Sequence, residues 1–154
     1  MSNAGRVRVG AQAPDFTLKD ERNEDWRLSD QRGRIVVLLF YPGDETPVCT
    51  KQLCSLRNHW SDYVKTGAEI VGISSDSVES HQRFIVRHRL PLHLLMDTGG
   101  KVAALYGVRP RLMRGVFVID AEGIVRYRKS MLGLFRPDDN KVLAAVEKAR
   151  DMLN

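Results

Sequence analysis

Cysteine is scarce: two residues among 154. That excludes the disulfide framework of a small secreted domain, which needs four or more at close spacing. No apolar run approaches the ~20 residues that cross a bilayer, and no signal-peptide core opens the chain. Pro/Gly/Ser-rich linkers, low-complexity tracts and internal repeats are also missing, so nothing divides the chain. Acidic residues fall short of basic ones, 19 against 24, which leaves a formal charge of +5 and raises the question of an anionic partner. The excess is dispersed, however, over Arg32 and Arg34, Arg83 to Arg89, Arg109 to Arg114 and Arg126 to Lys129. A solvated surface is favoured over a nucleic-acid arm. The expectation is a soluble, cytoplasmic protein with no nucleic-acid or membrane partner, made of one domain over residues 6–154. Ser2-Asn3-Ala4 reads as a cloning remnant, and residues 1–5 are set aside as a flexible N-terminus.

What is present centres on Tyr41-Pro42-Gly43-Asp44-Glu45-Thr46-Pro47-Val48-Cys49-Thr50-Lys51-Gln52-Leu53-Cys54. An apolar, β-branched run over 34–40 precedes it, and Leu53, Leu56, Trp60 and Val64 follow at helical spacing. The stretch therefore reads strand, turn, helix. Thr46 stands at the N-cap and Pro47 at the first helical position, where its missing N–H costs nothing. Cys49 then lies in the first turn, where unpaired amides and the macrodipole favour an anion, for cysteine the thiolate. Cys49 shares the apolar face of Leu53, Leu56 and Trp60, while Cys54 is turned about 140° away among Asn58, Ser61 and Lys65. In an intact helix their Cα atoms stand about 8 to 9 Å apart. A disulfide tolerates about 7 Å, so the two are either unrelated thiols or a redox couple linked to local unwinding.

Elsewhere the pattern predicts strands at 16–18 and 26–28 joined through Asn23 as an N-terminal hairpin, and a helix over about 49–65. It predicts further strands at 69–74, 92–96, 115–120 and 124–128, and helices at 77–88, 102–106 and 138–152. Strands alternating with helices before a closing hairpin and helix imply an α/β fold, a mixed sheet with helices on both faces. Strand 34–40 is expected to be central, with Cys49 beyond its carboxyl end, where open sheets place their sites. Metal binding is not favoured. Cys49, Cys54 and His59 are five apart, and His81 and His88, although able to share a helix face, make only two ligands. Neither metal nor cofactor is expected.

Pro42, Thr46 and Cys49 meet the pattern Pro-x-x-x-Thr-x-x-Cys, and Cys54 follows five residues later. Gly72 to Ser77, Ser80-His81, Leu90-Pro91, Leu94-Leu95 with Asp97, Tyr106-Gly107-Val108 and Arg114 before Phe117 to Asp120 continue the match in order. In these features the chain resembles the peroxiredoxins, closest to the bacterioferritin-comigratory-protein or Q-type subfamily. The resemblance implies a thioredoxin-like fold and a thiol peroxidase. Cys49 would be the peroxidatic residue and Cys54 the resolving one, forming an intramolecular disulfide that thioredoxin or a similar dithiol reduces. Its substrates would be hydrogen peroxide and organic hydroperoxides, and its assembly a monomer or small homodimer. Thr46 Oγ, the Cys49 amide and the Arg114 guanidinium would donate to the peroxide oxygens, and Pro42 would shield the pocket. Three departures stand out: Gln52 where the subfamily has Glu, Leu56 where it has an aromatic, and Gly115 where it has Ser or Thr.

Two other classes share these residues. A thiol–disulfide oxidoreductase on this fold would carry Cys-x-x-Cys, which the spacing here is not. A redox sensor or holdase would use the same unwinding without turnover.

Overall fold

The computed structural model describes residues 7–152; the expectation for residues 1–5 lies outside them. Seven strands form one mixed sheet in the order β2-β1-β5-β4-β3-β6-β7. The N-terminal hairpin pairs β1 (Thr17–Lys19) with β2 (Asp25–Arg27). β3 (Val36–Phe40) runs parallel to β4 (Glu69–Ser74), which runs parallel to β5 (His93–Met96). β6 (Met113–Ile119) is antiparallel to β3 and continues into β7 (Val125–Leu132). The β3 strand is interior, one place off the middle, and all five of its residues are buried. A strand with no solvent face has to be apolar at every position, as 36–40 is.

Alternation along β3 feeds two cores. Val36, Leu38 and Phe40 meet Val102, Ala103 and Tyr106 from α4 (Lys101–Leu105) and its end, with Phe16, Trp26 and Leu28 from the N-terminal segment. Val37 and Leu39 meet Cys49, Leu53 and Leu56 of α1 (Pro47–Asn58), Tyr63 of α2 (Trp60–Val64), Phe84 of α3 (Val78–His88) and Val142 and Val146 of α5 (Asp139–Asp151). Helices thus cover both faces, four on one side and the short α4 on the other.

One predicted helix is two. The stretch expected at 49–65 breaks at His59, whose backbone leaves the helical region (φ −106°, ψ 14°). Its Nδ1–H donates to the Ser55 carbonyl at 2.9 Å, beside the His59 amide, which donates to the same carbonyl at 3.2 Å and ends α1. Trp60 still packs on the same core, from α2. The closing hairpin is longer than expected, because β7 extends to Leu132 and carries the chain back beside Arg114.

The β1–β2 loop is tied to β5 by Glu21, which accepts from His93 Nδ1 at 2.9 Å and from the Leu94 amide. Burial pushes the Glu21 carboxyl up, but hydrogen bonds from His93 and the backbone, with the His93 charge, hold it below its ordinary 4.5. The bond to Glu21 raises His93 above 6.5 against the opposing effect of burial. The His93 contribution is complete below pH 6.5 and fades as pH rises through its raised value; that of Glu21 is present above 4.5 and fades below it. The stability gap between wild type and His93→Ala is therefore expected to be widest between those values and to shrink toward pH 9, read from urea midpoints across pH.

Candidate active site

The turn between β3 and α1 builds the site. Thr46 occupies the N-cap (φ −74°, ψ 149°) and Pro47 the first helical position, as the sequence indicates. The Thr46 side chain does not cap the helix, however. A carbonyl only accepts, so the 3.0 Å contact with Gly43 O commits the Thr46 hydroxyl proton to the loop, leaving its lone pairs to accept. The expectation that Thr46 Oγ donates outward is corrected accordingly. The first helical bond runs from Thr50 N to Thr46 O, so the Val48 and Cys49 amides have no acceptor within the helix. Cys49, third residue of α1, is completely buried.

Arg114 is completely buried too, on β6 next to Gly115, which pairs with the last residue of β3, Phe40. Taken singly in the sequence it reads as a surface arginine; the structure places it inside because β7 and the loop after it wrap over it. Its Nε donates to Phe135 O and its Nη2 to Gly133 O, each at 2.8 Å, and its Nη1 donates to Gln52 Oε1. Gln52, one turn after Cys49 on α1, therefore performs the holding for which the subfamily has Glu. None of these three partners carries a charge. Three of the five guanidinium N–H groups are used, leaving one on each terminal nitrogen. Pro42 joins the cluster through Gly133: a Cβ there would come within 2.9 Å of Pro42 Cγ, so only glycine lets the two chain segments touch.

Behind the turn is a polar network that sequence reasoning missed. The Asp44 carboxylate, all but removed from solvent, accepts from Tyr41 OH at 2.6 Å, Ser80 Oγ at 2.8 Å and His81 Nδ1 at 2.7 Å. The Asp44 amide donates to Asp76 at 2.7 Å. Burial, with the Asp44 charge, pushes the Tyr41 phenol well above 10.0, so it remains a donor. Asp44 and Tyr41 stood in plain view within the stretch, but the other partners, Asp76, Ser80 and His81, lie more than thirty residues away. No side-chain signal could have revealed the Gly133 and Phe135 carbonyls.

The structure brings Pro42, Gln52, Arg114 and the start of α1 with Cys49 into one region, with Thr46 exposed at its rim. It does not bring Cys54 to Cys49. Cys54 is half-buried, both thiols are free, and one unbroken helix carries them five residues apart. His81 and His88 do share a face of α3, but their ring nitrogens meet protein acceptors. Among the described residues Asp20, Glu21 and His93 offer ligand atoms within 4.8 Å of one another, a convergence invisible in the sequence. Arg22, Glu24, His93 and Leu94 already donate to those carboxylates, which accounts for the cluster structurally.

A thioredoxin-like sheet that presents a buried cysteine at the start of a helix whose Gln52 holds a buried arginine defines a thiol-chemistry protein of the peroxiredoxin class. The model of the AhpC/TSA family matches residues 9–128. The chain belongs to that family, as a peroxiredoxin of the Q or bacterioferritin-comigratory type. It is 45% identical over 128 residues to "Peroxiredoxin Q, chloroplastic" of Triticum aestivum, covering 80% of this chain and 59% of that protein. The protein of the same name from Sedum lineare is 44% identical over 126 residues, 79% and 68% of the two chains. The chain thus spans about 59% of the length of the first of these relatives. Among solved structures, peroxidoxin BcpB of Mycobacterium tuberculosis superposes with a TM-score of 0.81 at 32% identity, covering 92% of this chain and 97% of that one. A reduced 2-Cys peroxiredoxin of Plasmodium vivax reaches 0.84 at 23% identity, covering 94% and 83%, a likeness of fold.

Two substitutions test this packing. Lysine cannot reproduce a three-point fork, so Arg114→Lys is expected to cost about 1–3 kcal/mol for each buried acceptor it leaves unpaired, measured by urea unfolding. At Gly115 a Cβ would stand 2.5 Å from Val108 Cγ2, because valine fills the space that a family Ser or Thr would use. Gly115→Ser should therefore cost about 1–3 kcal/mol, and Val108→Ala in the same chain should recover part of it.

Proposed function

We propose that this chain is a thiol peroxidase: Cys49 attacks the terminal oxygen of a hydroperoxide, becomes a sulfenic acid and releases water or an alcohol. The observation that carries the reading is Arg114, a guanidinium withdrawn from water whose three protein partners are all neutral. A buried cation of this kind favours an anion in the space it faces. The thiolate supplies one before reaction and the departing oxygen supplies one in the transition state.

A low thiol pKa is not enough by itself. For a cysteine in general, a drop from 8.5 to about 6 raises the thiolate fraction at pH 7 roughly thirty-fold. The accompanying loss of nucleophilicity is roughly thirteen-fold for a Brønsted slope of about 0.45. Only a few-fold gain remains, so the acceleration has to come from stabilising charge on the peroxide oxygens. The two spare N–H groups of Arg114 and the Cys49 amide are the donors for that charge. Thr46, its own proton committed to Gly43, accepts from the O–H of the substrate and so orients it. Pro42 keeps water from the pocket.

In the second step the Cys54 thiol condenses with the sulfenic acid, and thioredoxin or a similar dithiol reduces the resulting disulfide. The intact α1 helix keeps the sulfurs too far apart for this, so its first turns unwind. Hydrogen peroxide and organic hydroperoxides are the proposed substrates, the cytoplasm the setting, and a monomer or small homodimer the working state.

The test is peroxide decay with thioredoxin and its reductase. Cys49→Ser should fall to the uncatalysed rate. Cys54→Ser should keep its first turnover, accumulate sulfenic acid, and lose roughly tenfold or more of its steady turnover. Full activity in Cys49→Ser would refute the peroxidase reading, and unchanged thioredoxin-driven turnover in Cys54→Ser would remove the resolving step.

A further inference from the structure

The segment that has to unwind is held at both ends by one helix, α3. Ahead of α1, Asp44 accepts from His81 Nδ1 at 2.7 Å, and Glu45 accepts from His88 Nε2 at 2.9 Å. His81 and His88 lie seven residues apart, two turns along a single face. Beyond Cys54, Arg57 of α1 donates from Nη1 to the His88 carbonyl at 2.7 Å. His88 is therefore the junction: its ring grips the entrance to α1 and its carbonyl grips the exit.

The two grips differ in kind. His81 is buried, and its ring nitrogens meet the Leu95 carbonyl at 3.0 Å and the Asp44 carboxylate that Tyr41 and Ser80 also serve. This pair belongs to the folded framework. The His88–Glu45 pair is looser, with side chains 21% and 39% exposed and Arg87 Nη1 3.9 Å from the same carboxylate. Glu45 also has φ of 61°, a left-handed conformation that a non-glycine residue avoids unless held there. A strained residue fastened by a half-exposed contact is where the loop comes loose first.

We propose that His88 and Glu45 are positioning residues that set how often the first turns of α1 open, and so control how peroxide-oxidised Cys49 partitions between waiting as sulfenic acid and bonding to Cys54. The inference rests on the peroxidase reading for its chemistry. In that step the S–S bond forms as the S–O bond of the sulfenic acid breaks, and the hydroxyl leaves with the Cys54 proton as water. The Cys54 sulfur is oxidised and the Cys49 sulfur reduced from its sulfenic state, so no further oxidant is required. Closed, the clasp presents Thr46 and the Cys49 amide for the first step; open, it permits the second.

The experiment compares wild type, His88→Ala, His88→Gln, Glu45→Ala and the double alanine variant. Amide hydrogen exchange over residues 48–56 of the reduced protein reads opening directly, and stopped-flow mixing with peroxide reads Cys49 oxidation and disulfide formation separately. Removing the clasp should speed both exchange and disulfide formation by about three- to tenfold while oxidation of Cys49 is unchanged or slower. His88→Gln, which still donates to Glu45, should return to within about twofold of wild type, and the double variant should open no further than either single one. Wild-type exchange in His88→Ala, or equal effects of Ala and Gln, would overturn the clasp. A wild-type protein that consumes no peroxide while His88→Ala still exchanges faster would refute the peroxidase reading instead.

Discussion

A guanidinium taken out of water has to be surrounded by acceptors, and the path of the chain around Arg114 follows from that need. The β7 strand runs on to Leu132 so that the Gly133 and Phe135 carbonyls arrive above β6, while α1 supplies Gln52 from below. Three separate parts of the sequence are thereby fixed against one another around the first turn of α1. Pro42 is drawn into the same cluster because Gly133 has no side chain to keep it away.

Gln52 illustrates how the site tolerates change. A carboxylate in its place would neutralise the arginine; the uncharged amide oxygen accepts one hydrogen bond from it here and leaves the charge in place. Gln52 Nε2 is left buried without a partner, a cost of about 1–3 kcal/mol for such a group. In exchange, the positive charge is not neutralised by any of its three protein partners.

The α3 helix adds a second constraint of opposite character. Arg114 ties the floor of the site together, whereas the acid–histidine contacts along α3 hold the turn that the proposed cycle would have to open. Stability is distributed unevenly: the Asp44 network is buried, whereas the contact that holds Glu45 beside it is partly exposed and fastens a left-handed residue. The proposed cycle asks for two conformations of one helix, because its two chemical steps need different distances between the same two sulfurs.

Much of this was legible from local pattern. The apolar run of β3, the Thr46-Pro47 helix start and the side of α1 that buries Cys49 follow from hydrogen-bond geometry and helical period, which act over a few residues. So does the separation of Cys49 from Cys54 on one helix. The break at His59 was not legible, because the apolar stripe runs on through Trp60 without interruption while the backbone leaves the helical region at His59. Tertiary structure alone decided that Arg114 is buried, that Gln52 holds it, and that His81 and His88 serve the loop instead of a metal. Those outcomes depend on pairings across 62, 37 and 43 residues of chain, and no local preference specifies them. They arise from how the sheet closes around β3, which settles which polar groups lose water and therefore which must find one another.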